Sequence, residues 1–98
     1  MIYVIGDIHG CLEPLQRLMA QLRLSEADEV VFLGDYIDRG PDSKGVIDYL
    51  LTLQGRYTFL MGNHERMFLD FLQGQQRPLF LYNGGTATLE SYGGLRGI

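Results

Sequence analysis

The sequence predicts an α/β fold built on a parallel sheet, and three observations predict it. Short apolar runs alternate with amphipathic segments in the order strand, helix, strand, helix, strand, helix. Each apolar run ends at a glycine: Gly6, Gly34 and Gly62. Each of these glycines opens a polar loop.

The elements follow in order. Residues 2–5 form a short apolar run that reads as a buried strand. Residues 13–24 read as a helix, with Leu15, Leu18, Met19 and Leu22 on one face and Pro14 tolerated in the first turn. Residues 29–33, rich in Val and Phe, read as the second strand. Residues 43–54 read as the second helix, with Val46, Ile47, Leu50 and Leu51 as its apolar face and Gly55 as its stop. Residues 56–61 read as the third strand. Residues 64–72 read as the third helix, with Met67, Phe68, Phe71 and Leu72 apolar. This gives a βαβαβα core over residues 1–73. Residues 74–98 change character: six glycines, no strong strand, and a short helix at 86–91.

Composition narrows the function classes. The chain has 98 residues, room for one domain, and can bury roughly two thirds of its unfolded surface. Its 46% hydrophobic and 20% charged residues argue for a globular protein and against disorder. A net charge of -4 argues against a nucleic-acid partner. No apolar run approaches the roughly 20 residues a membrane span needs. The first strand starts beside Met1 with no basic stretch before it, so no signal peptide is expected. Cys11, the one cysteine, forms no internal disulfide and fits the cytoplasm. It reads as a small buried residue.

The loops carry the chemistry. They are Gly6-Asp7-Ile8-His9-Gly10, Gly34-Asp35-Tyr36-Ile37-Asp38-Arg39-Gly40 and Gly62-Asn63-His64-Glu65. In a parallel sheet they emerge along one edge, at the carboxyl ends of the strands, where open α/β sheets bind ligands. Asp7 and His9 can turn toward one cation. Asp35 has two oxygens and can bridge two cations, and Asn63 offers a neutral carbonyl oxygen. Such mixed ligands suit Mn, Fe or Zn. Asp38 is positioned to orient a histidine, with His64 the candidate besides His9. A carboxylate beside an imidazole fixes its tautomer, as a general acid requires. Arg39 can fork two donors onto a phosphate. Glu65 reads as a first-turn helix acid, and Asn83-Gly84-Gly85 as a turn.

Together GDIHG, GDYIDRG and GNHE resemble the three signature blocks of the metallophosphoesterases. More narrowly, they resemble the phosphoprotein phosphatase (Ser/Thr protein phosphatase) family, bacterial and phage type. Between His9 and Gly34 lie 24 residues, and between Gly40 and Gly62 lie 21, so the blocks are nearly evenly spaced. The stretch from Leu81 to Gly93 looks like bacterial and phage members too. The resemblance therefore runs over nearly the whole chain.

The resemblance implies the amino-terminal half of the metallophosphatase α/β sandwich. It implies two divalent metals, manganese foremost. Asp7, His9 and Asp35 would hold the first, and Asp35 and Asn63 would reach the second. His64 would protonate the leaving alkoxide, paired with Asp38, while Arg39 and Asn63 would hold phosphate oxygens. Symmetrical dinucleoside tetraphosphatases resemble this family closely but typically have alanine before the arginine of the second block. Asp38 stands there instead, which tilts the expectation toward phosphomonoesters, on phosphoproteins or small phosphate esters.

The family's second metal also uses two later histidines, and none follows Glu65. The first metal site is expected to be complete and the second incomplete. Three readings stand at this point. One is a phosphatase fragment that is inactive or feeble alone. Another is a hydrolase that completes its site by pairing with another chain or by self-association through uncovered core surface. The third is a non-catalytic metal- or phosphate-binding module. A dinucleoside polyphosphate hydrolase remains the alternative within the superfamily.

Overall fold

A computed structural model describes residues 1–97. The last residue of the 74–98 segment, Ile98, lies outside the described residues.

Three strands form one sheet in the order β1 (Ile2–Ile5), β2 (Glu29–Phe32), β3 (Tyr57–Phe59). Both pairings are parallel, with Tyr3 opposite Val30 and Val30 opposite Tyr57. Helix α1 (Leu12–Leu22) links β1 to β2, and α2 (Ser43–Thr52) links β2 to β3. Successive crossovers of one hand, stepping in one direction, put their helices on the same face of a sheet. The burial pattern agrees. Ile5, Val30 and Phe32 point into a core shared with Leu15, Met19, Val46 and Leu50. On the other face Ile2 and Val4 are 64% and 61% exposed.

The elements begin and end for local reasons. Helix α1 stops at Arg23, which turns left-handed at φ 47°, two residues before the boundary expected from the sequence. Asp42 caps α2 by accepting from Gly45 N at 2.8 Å. The expected apolar faces hold in part. Leu51 is 79% exposed and Leu72 and Leu18 about half as much, so the buried stripe is narrower than the periodicity implied. Strand β3 is shorter than residues 56–61. Leu60 N still reaches Phe32 O at 2.9 Å, and then the chain bends to bring Gly62 against Gly34.

Helix α3 (Asn63–Leu72) follows β3, then α4 (Arg77–Phe80), a kinked turn (Leu81–Gly85), α5 (Thr86–Ser91) and a 3-10 turn (Leu95–Gly97). The α5 span matches the expected one, whereas α4 was not expected from the sequence. Its four residues are too few for a helical period. It is held by Phe80, which is fully buried with its ring 4.9 Å from Phe71 and 5.3 Å from Phe68. Gly85 lies flat on the Phe80 ring, where a Cβ would collide. Helix α4 packs beside α3, and α5 beside α2.

Candidate active site

Parallel strands deliver their carboxyl ends to one edge, and backbone hydrogen bonds there lock the three loops together. Ile8 N and His9 N both donate to Asp35 O, at 3.1 and 2.9 Å, and Gly10 N donates to Tyr36 O at 2.8 Å. Glu65, read from the sequence as a helix acid, does more. Its carboxylate accepts from Asp35 N at 2.6 Å, Tyr36 N at 2.9 Å and Gly62 N at 3.0 Å. One side chain thus ties the second loop to the third. The cap of α3 is Gly62, with Asn63 one residue inside the helix.

Four site residues adopt left-handed backbone: His9 (φ 45°), Asp35 (56°), Asp38 (75°) and Arg39 (69°). Such conformations cost on the order of 1–3 kcal/mol each and persist where surrounding bonds over-determine them. The interlocking above supplies those bonds. The sharp reversals aim successive side chains at one point, which a regular strand cannot do.

At that point Asp7, His9 and Asp35 each offer a ligand atom, all within 4.8 Å of one another. The donor set fits a divalent cation. His9 Nδ1 is 2.9 Å from Ile37 O, which only an Nδ1–H can satisfy; in the neutral ring that leaves the Nε2 lone pair for an ion. That Nε2 lies 3.7 Å from Asp7 Oδ2. Asp35 Oδ1 accepts from His64 N at 2.9 Å, leaving its other oxygen for an ion. Gly62 presses against Asp35, where a Cβ would collide with the carboxylate. Asn63 is exposed in the first turn of α3, one residue before the N–H that donates to Asp35.

Next to the cluster lies a buried pair. His64 Nδ1 is 2.8 Å from Asp38 Oδ2, and Asp38 is fully buried. The other Asp38 oxygen accepts from Thr88 Oγ1 at 2.6 Å. Asp38 N reaches both Thr88 Oγ1 at 2.8 Å and Ser43 Oγ at 3.1 Å, and the two hydroxyls are 2.9 Å apart. The His64 and His9 rings meet edge to face with centroids 4.6 Å apart. The predicted metal-ligating and proton-donating groups therefore lie side by side.

Arg39 is exposed, and its N donates to Gly84 O at 3.0 Å. The Asn83-Gly84-Gly85 turn thus braces the arginine loop, and Asn83 itself bonds Leu79 O at 2.8 Å. Cys11 is half-buried rather than buried, its thiol 3.5 Å from His9 O. Tyr36 sits beneath the loops and donates to Leu60 O at 2.7 Å. Burial, reinforced by the charges of Glu65 and Asp35, pushes its hydroxyl up to about 12.

Sequence reasoning missed Ser43, Thr88 and the bridging role of Glu65. Glu65 had a local signal, its three-residue offset from Gly62. Thr88 had none, lying 50 residues from Asp38.

Comparisons with known proteins bear on the family and the fold. The family model of the calcineurin-like phosphoesterases matches residues 1–96, and the chain belongs to that family. The parallel sheet and its helices are consistent with the amino-terminal half of the metallophosphatase fold. The chain is 42% identical over 85 residues to serine/threonine-protein phosphatase 1 of Salmonella typhimurium, covering 86% of this chain and 38% of that protein. It is 41% identical over 75 residues to the symmetrical bis(5'-nucleosyl)-tetraphosphatase of Legionella pneumophila strain Lens, covering 76% of this chain and 27% of that one. The protein of the same name from Pseudomonas syringae pv. syringae is 38% identical over 86 residues, covering 87% of this chain and 28% of its own length. The chain thus spans well under half the length of these relatives. The family uses divalent metals, and the Asp7–His9–Asp35 cluster is the group that could hold one. Among the described residues, no helix is long and apolar enough to cross a membrane.

Proposed function

We propose that these loops belong to a divalent-metal-dependent phosphoric monoester hydrolase of the Ser/Thr protein phosphatase type. The observation that carries the reading is the buried Asp38–His64 pair beside the Asp7–His9–Asp35 cluster.

In this reading Asp7, His9 and Asp35 would hold a first ion, and Asp35 and Asn63 would contribute to a second. The donor set would suit manganese, iron or zinc. Bound metals would supply Lewis acidity, lowering the pKa of water and neutralising phosphoryl oxygens. The chain's own residues do the rest. Arg39 and the Asn63 amide orient the phosphoryl group. His64 holds a proton on the ring edge facing the cluster and delivers it to the departing alkoxide. Asp38 stabilises the charged imidazole and keeps its ring in place. Neither a cysteine nor a serine nucleophile is required.

A second reading, hydrolysis of dinucleoside polyphosphates, is favoured by the tetraphosphatase relatives. The Asp38–His64 pair weighs against it. An alkoxide is a poor leaving group and needs a proton, whereas the phosphate end expelled from an anhydride is a far weaker base. A buried carboxylate backing a histidine is suited to the harder departure. The substrate would be a phosphoprotein or a small phosphate ester, with no nucleic acid or membrane partner. The exposed face around Ile2 and Val4 would favour self-association. The unpaired Cys11 thiol fits a cytoplasmic location.

The test is a chimera in which this chain replaces the matching segment of the Salmonella phosphatase. In manganese it should hydrolyse a phosphoserine peptide faster than a dinucleoside tetraphosphate, and His64→Ala should lower peptide turnover roughly 100-fold or more. A preference for the tetraphosphate, or indifference to His64→Ala, would overturn the reading.

A further inference from the structure

We propose that Thr88 is a positioning residue for the general acid, acting through Asp38 on His64. The inference rests on the phosphoesterase reading and extends it to a residue 50 positions away in the chain.

The proton assignments around Asp38 leave little freedom. Asp38 N–H must donate, and both hydroxyl oxygens lie within reach, at 2.8 Å for Thr88 and 3.1 Å for Ser43. Asp38 Oδ1 accepts from Thr88 Oγ1 at 2.6 Å, and a threonine hydroxyl has one proton to give. The Thr88 proton is therefore spent on Asp38. The Ser43–Thr88 contact at 2.9 Å must then be supplied by the Ser43 proton. The chain runs in one direction: Ser43 O–H to Thr88, Thr88 O–H to Asp38 Oδ1, and His64 Nδ1–H to Asp38 Oδ2.

The consequence is geometric. All of Asp38, Ser43 and Thr88 are fully buried, so no water takes the place of a lost partner. With Oδ1 pinned by Thr88, the carboxylate cannot rotate about its Cβ–Cγ bond. Oδ2 is held in one position, and with it the His64 ring, whose Nδ1–H stays on Asp38 both when Nε2 carries the proton to be delivered and in the neutral ring left after delivery. Helix α5 packs against α2 and brings Thr88 to this place. A segment with no metal ligand thereby sets the angle of the proton donor.

The two histidines of the chain make this measurable without turnover or metal. Two-bond nitrogen–proton correlations of the chain labelled at histidine nitrogen report the tautomer of each ring. Both His9 and His64 should show hydrogen on Nδ1, His9 through Ile37 O. Thr88→Val keeps the shape and removes the hydroxyl. It should shift the His64 tautomer ratio roughly three- to tenfold toward Nε2–H, the size of one lost hydrogen bond, and leave His9 unchanged. Thr88→Ser should restore the original ratio. An unchanged His64 ratio in Thr88→Val overturns the proposal. So does a parallel shift of His9, which would mark a general loosening. If Thr88→Val fails to fold, Ser43→Ala is read in the same way, with a smaller shift of His64 alone expected and no shift contradicting. Failure here would leave the phosphoesterase reading standing, since that one is decided by turnover of the chimera.

Discussion

At the scale of the residue, Glu65 shows how much one carboxylate can organise. It accepts three backbone N–H groups from two loops. Glu65→Ala leaves those donors without their acceptor, and the expected loss is about 2–3 kcal/mol, read from the urea midpoint at constant slope. Its offset from Gly62 was visible in the sequence, but the donors on Asp35 and Tyr36 come from another loop and were not. Tyr36 makes a second prediction. Its folded pKa, pushed up to about 12, lies above the ordinary value of 10.0, so the fold favours the neutral hydroxyl. The stability it contributes is therefore full below pH 10 and lost as pH rises toward 12. Urea midpoints should fall over that window, and Tyr36→Phe should flatten the fall. The slope that remains in Tyr36→Phe reports Tyr49 and Tyr92, both raised by burial, together with Lys44, raised by its hydrogen bond to Asp48.

At the scale of the element, the strand-end loops were legible because their residue types announce chemistry and their glycines mark the bends. The left-handed φ values of His9, Asp35, Asp38 and Arg39 were not legible, since none is a glycine. Helix α4 was not legible either, because Phe80 is buried by tertiary contacts with Phe68 and Phe71 rather than by any period. The turn between α4 and α5 braces the Arg39 loop. At Gly84 φ is 97°, and a Cβ there would stand 2.9 Å from Arg39 N and closer still, 2.5 Å, to its side-chain Cγ. Gly84→Ala is therefore expected to cost roughly 1–3 kcal/mol in a thermal melt and to displace the arginine loop. Equal melting of Gly84→Ala and the parent chain would contradict the bracing role.

At the scale of the whole molecule, the strand order and parallel pairing follow the alternation that the sequence displays. Among the described residues one sheet face is left uncovered around Ile2 and Val4, whereas parallel sheets are ordinarily covered on both. The bare face carries Ile2 and Val4, and Met61 at the sheet's end is 61% exposed. Sedimentation of the chain is expected to depend on concentration, and Val4→Lys to reduce that dependence by placing a charge on the face. All three loops reach one edge only because every strand points the same way. The central claim is that this edge is a divalent-metal site centred on Asp35. The most direct test is calorimetric titration of manganese into the chain and into Asp35→Asn. One ion per chain should bind, and the substitution should weaken binding roughly tenfold or more. No binding to the parent chain, or equal affinity for both proteins, would contradict the claim.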